Sequence, residues 1–101
     1  MERTQPTPTD EALRHLIEQP SYGAQVLIVA ARILEMDPAE LMTGRVGGMA
    51  MTIAIDTVLT PLPKVVADDS VARAKRALPD LANITRGEAA LRLRAAAEAL
   101  G

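Results

Sequence analysis

The chain has 101 residues, of which 49% are hydrophobic and 24% charged, and its formal net charge is −2. This is too apolar for a disordered segment and too short for two separate cores, and it lacks the basic excess of a dedicated nucleic-acid binder. Cysteine is absent, which excludes disulfides, thiolate metal sites and cysteine nucleophiles from this chain.

The unusual feature is the aromatic content: one Tyr, no Phe and no Trp. A core must then be built from Leu, Ile, Val, Met and many Ala, which lets helices approach closely but buries little area per side chain. The bias to Ala, Arg and Leu over Lys is the style of a GC-rich bacterial or phage genome.

In chain order, residues 1–8 read as a flexible tail ahead of a single helical domain, 9–101. Met1–Asp10 is polar and proline-rich, unlike a secretory signal, and points to the cytoplasm. Thr9 caps a first helix, with Asp10 and Glu11 favourably placed against its N-terminal dipole. Ala12, Leu13, Leu16 and Ile17 form its apolar face, and Pro20 stops it. Ser21 then caps a helix over 22–36, in which Arg32 and Glu35 are the only charges after Val26. A helix apolar on nearly all sides is buried on several, so this one is expected at the centre of the domain.

Asp37-Pro38-Ala39-Glu40 carries a capping residue, a proline at the first helical position and a capping-box glutamate, and so predicts a further short helix ending at Gly44. Gly47-Gly48 reads as a break. Over 49–60 a helix aligns Thr52, Asp56 and Thr60 opposite Met51, Ile55, Val58 and Leu59, whereas a strand would alternate Ile53, Ile55, Thr57 and Leu59 with the polar positions. Helix is favoured because no partner strand is visible elsewhere. After Pro61 and Pro63, a helix capped by Asp69 or Ser70 runs to Leu78, with Val71, Ala74 and Leu78 inward and Arg73 and Arg76 outward. Thr85 and Glu88 form a capping box for a last helix to Leu100, with Leu93, Ala96, Ala97 and Leu100 as its stripe and Glu88–Arg92 as a surface pair. The expected fold is all-α: a compact bundle of five or six short helices around a central apolar helix, 22–36.

Candidate chemistry is sparse. His15 shares a helix face with Glu11 and Glu18, a beginning of an oxygen/nitrogen metal site, but no second set of ligands accompanies it and a solvated face explains it. Asp56 lies in an apolar stretch as a general-base candidate, with no nucleophile or second base beside it. Gly44-Arg45-Val46-Gly47-Gly48 lacks the Gly-Lys-Ser/Thr ending and preceding strand of a phosphate-binding loop, leaving Arg45 as a simple anion contact at most. No catalytic residue, cofactor or metal is assigned. Arg73, Arg76, Arg92 and Arg94 give the C-terminal part a candidate basic face, which the interspersed Asp80, Glu88 and Glu98 dilute.

The segment from Pro20 to Leu41, with its core Ala30-Ala31-Arg32-Ile33-Leu34-Glu35-Met36-Asp37-Pro38-Ala39-Glu40-Leu41, resembles the closing helices of phage-repressor-type helix-turn-helix domains. The resemblance implies an apolar helix, a short loop and a brief last helix that pack a core or a dimer interface. The family's base-reading helix lies upstream, where this sequence holds one helix, so no DNA-contacting residue is carried over.

The functional expectation is a non-enzymatic, homo-oligomeric interaction or regulatory protein, whose partner is a second copy of itself or another protein. Its candidate surface is Met49, Met51, Ile55 and Leu59. Two apolar stretches, around Ile28 and Ile55, carry more surface than so short a chain readily hides. The alternative is a DNA-associated regulator. No membrane partner is expected, because Arg32 and Asp56 interrupt the apolar tracts before they reach the ~20 residues of a spanning helix.

Overall fold

The computed structural model describes residues 20–101, and these form an all-helical bundle. The tail, the first helix and the His15 cluster read from the sequence lie outside the described residues. Four helices follow one another: α1 (Tyr22–Leu34), α2 (Gly44–Leu59), α3 (Lys64–Ala77) and α4 (Arg86–Leu100). The expected count of five or six is therefore reduced to four among the described residues.

α1 is central and packs against each of the other three helices. Ser21 caps it, its Oγ accepting from the Ala24 amide at 3.2 Å. Val26, Leu27, Ala30, Ala31 and Leu34 are fully buried. It ends at Leu34, two residues short of the expected Met36. α4 runs antiparallel to it: the Ser21 amide donates to the Gly101 carbonyl at 2.9 Å, and the Arg86 guanidinium at the other end donates to the Ile33 carbonyl at 3.0 Å. Ala89, Ala90, Leu93 and Ala97 of α4 are buried, so the contact is made largely of methyl groups. α1 closes on α3 and α4 at Gly23, where a Cβ would come within 3.2 Å of both Leu100 Cδ2 and the Ser70 carbonyl. Any larger residue there would need these neighbours to give way by a few tenths of an ångström.

The short helix expected after Asp37 does not form. Residues 35–40 are turns, and Leu41 makes an isolated antiparallel bridge with Thr85. A helical turn there would bond the Met42 amide to the Pro38 carbonyl. Both groups are taken elsewhere: Met42 donates to the Ile84 carbonyl at 2.8 Å, and Pro38 accepts from the Gly87 amide at 2.9 Å. Glu40 likewise accepts from the Arg86 amide at 2.7 Å. The segment thus satisfies the first N–H groups of α4, which have no partner within their own helix. The brief last helix implied by the repressor resemblance is absent for the same reason.

Two helix starts also move. α2 begins at Gly44, so Gly47 and Gly48 lie inside a helix rather than at a break; the Thr43 Oγ1 caps it by accepting from the Val46 amide at 3.1 Å. The stretch 49–60 is helical as favoured, with Thr60 donating to the Asp56 carboxylate at 3.0 Å. α3 begins at Lys64, not at Asp69 or Ser70. Ser70 is buried within the helix and donates to the Val66 carbonyl one turn back at 2.7 Å, so its hydroxyl is satisfied without capping. Lys64 and Asp68 add a 2.6 Å pair across the first turn.

Thr85 caps α4 as expected, accepting from the Glu88 amide at 3.2 Å, and Glu88 pairs with Arg92 at 3.6 Å. Arg94 grips Glu35 with two hydrogen bonds of 2.8 and 2.7 Å, tying α4 to the end of α1. This holds the Glu35 carboxyl below its ordinary value of 4.5; the Arg94 hydrogen bond is the main cause, opposed by desolvation and aided by the charges of Arg94 and Arg32. A lowered carboxylate pKa stabilises the fold above the unfolded value, and that contribution is lost as pH falls through the folded one. Both side chains are more than a third exposed, and solvent screening keeps the pair below about 1 kcal/mol. Urea unfolding of wild type and Glu35→Gln should therefore show a small gap at neutral pH that closes in acid; a gap that persists in acid would exclude the ion pair as its source.

Candidate interaction surface

α2 carries two of the large apolar side chains that the core leaves exposed, Met49 and Ile53, one turn apart. Its inner face is Ala50, Ala54 and Leu59, with Val46, Met51, Ile55 and Val58 packed against the core cluster. Of the four residues expected as an interaction surface, Leu59 is 4% exposed and belongs to the core, Met51 and Ile55 are half-buried, and Met49 is 51% exposed. Ile53, not foreseen, is 45% exposed beside Met49.

Met51 and Ile55 line an open groove of about 490 Å³ between α2 and the end of α3. Met42, Leu78 and Leu81 complete its apolar lining, and Lys75 is its charged group. Gly44, Gly47 and Gly48 form the edge toward the start of α2. The groove joins residues almost forty positions apart in the chain, which no local pattern reveals. The exposed row of α2 was recoverable, because Arg45, Met49, Thr52, Asp56 and Thr60 recur at helical spacing once Gly44 opens the helix.

A second concavity of about 400 Å³ is more polar, lined among others by Ser21, Gln25, Asp69, Ser70 and Arg73. Asp69 and Arg73 pair there at 2.9 Å. The four arginines of the expected basic face divide between α3 and α4. Arg73 binds Asp69, Arg92 lies beside Glu88 and donates to the Asp80 carbonyl, and Arg94 binds Glu35. Arg76 donates to the Ala72 carbonyl of its own helix.

Asp56 is exposed on α2 with Thr60 as its hydrogen-bond partner, and among the described residues it forms no ion pair. The glycine-rich segment 44–48 is helix rather than a phosphate-cradling loop. Among the described residues no three His, Asp or Glu side chains gather as a metal site, and no helix is long and apolar enough to cross a membrane.

No protein-family model, curated protein or solved structure matches the chain. The functional reading therefore rests on this surface.

Proposed function

We propose that this chain is a non-enzymatic interaction module that associates with a second copy of itself through the exposed face of α2 that carries Met49 and Ile53. The observation that carries the reading is Met49 and Ile53, both about half exposed and one turn apart on the same face of α2. Scattered single apolar side chains on a surface need no explanation; two exposed one turn apart on one helix face offer area that another molecule can remove from water. Methionine suits such a surface because its unbranched chain repacks readily. The arginines support protein over nucleic acid as the partner: Arg73, Arg92 and Arg94 already face carboxylates, so phosphate contact would have to displace those pairs.

Sedimentation velocity over a range from about 1 to about 100 µM tests the reading. The expected result is a concentration-dependent shift from monomer to a discrete oligomer. A strictly monomeric species across that range would overturn it. Duplex-DNA binding that weakens steeply as salt rises would instead favour the DNA-associated regulator.

A further inference from the structure

We infer that two copies pair through α2 in antiparallel fashion, about a two-fold axis passing between Ala50 and Met51. The inference rests on the self-association proposed above and specifies its geometry. Arg45, Met49, Thr52, Ile53, Asp56 and Thr60 lie on one exposed face of α2. Arg45 stands near one end of that face and Asp56 near the other, roughly 16 Å apart at the rise of an α-helix. Among the described residues neither forms an ion pair.

Both charges oppose the helix that bears them. Arg45 sits in the first turn of α2, beside the positive end of the dipole, and Asp56 sits in the last, beside the negative end. The isolated helix gains nothing from either. A second copy running the other way changes this. Arg45 then faces Asp56 of the partner subunit and Asp56 faces Arg45 of the partner subunit, while Met49 meets Thr52 of the partner subunit at the centre. A parallel pairing would set like against like at both ends, so the charge order selects the antiparallel one.

Gly48 gives independent support. It lies inside α2, where glycine is a poor helix former, yet among the described residues nothing lies within 4 Å of where its Cβ would be. Packing within the chain therefore does not require glycine there. Bare backbone at the edge of the exposed face lets a second helix approach closely.

The test is a charge reversal read by sedimentation equilibrium on the full chain, with circular dichroism as the check on folding. Arg45→Glu and Asp56→Arg each complement the dipole of α2, so each should fold at least as well as wild type. Each alone places like charges opposite one another at both ends and should weaken the dimer about tenfold or more. An equimolar mixture of the two variants restores opposite charges at both ends of the heterodimer, and so does the double variant; both should regain wild-type affinity. Ile53→Glu should weaken self-association in either background. If wild type dimerises but the reversals change nothing, or the mixture fails to recover, the antiparallel pairing is overturned while self-association stands. A monomeric wild type would overturn both.

Discussion

Replacing Leu27 with alanine should cost about 3–4 kcal/mol of folding stability, near the middle of the range for a buried leucine whose cavity cannot collapse. Leu27 is fully buried on the central helix and, among the described residues, is one of four large, fully enclosed side chains, the others being Val26, Leu34 and Leu93. Most of the remaining core is alanine, already trimmed to one methyl and unable to reach into a hole. At about 4–8 °C per kcal/mol for a domain of this size, the melting temperature should fall by roughly 15–25 °C. Leu27→Met, which nearly conserves volume, should cost under about 1.5 kcal/mol. Urea and thermal unfolding at one fixed protein concentration would measure both, since self-association makes apparent stability depend on concentration. A loss below about 1 kcal/mol for the alanine variant would mean that α1 does not hold the core together.

Loss of Arg86 should be the second large effect. Its guanidinium is 12% exposed, donates to the Ile33 carbonyl at the end of α1 and lies 3.8 Å from the Glu40 carboxylate. Among the described residues its Nε has no hydrogen-bond partner, so within them the buried charge is incompletely satisfied. That cost is offset because the guanidinium serves the negative end of α1, where orphan carbonyls gather. Arg86→Ala would leave the part-buried Ile33 carbonyl with only the longer 3.3 Å bond from the Met36 amide and open a void, for a loss of about 2 kcal/mol. Arg86→Met fills the space without the donor and should recover part of this, separating packing from hydrogen bonding. Amide exchange supplies the local readout: the Arg86 and Gly87 amides, bonded to Glu40 and Pro38, should exchange faster in both variants. Unchanged exchange and stability would show that the backbone bonds alone hold the 38–42 segment against α4.

The candidate surface illustrates how a local pattern and a tertiary one differ in legibility. Met51 and Ile55 were visible as apolar residues at helical spacing, and the structure leaves both partly accessible. Leu59 has the same pattern but turns into the core. Periodicity identifies a side of a helix; it does not say where a neighbouring helix stops covering that side. Leu78 and Leu81 enter the groove only because the end of α3 and the loop after it come back over α2.

Sequence alone determined the helices whose signals are local and unopposed: Ser21 opening α1, Thr85 opening α4, and the small-residue stripe that lets those two pack closely. It also determined that the core would be poor in large side chains, since composition limits what any arrangement can bury. Tertiary structure decided the fate of Asp37–Thr43, where a good capping signal lost because α4 needed acceptors for its first amides and this segment supplied them. It decided as well that α3 starts at Lys64, with Ser70 turned inward. The physical reason is common to both: a capping residue states only a preference, worth about 1 kcal/mol. Backbone hydrogen bonds to a neighbouring element, or burial of the side chain, are enough to outweigh it.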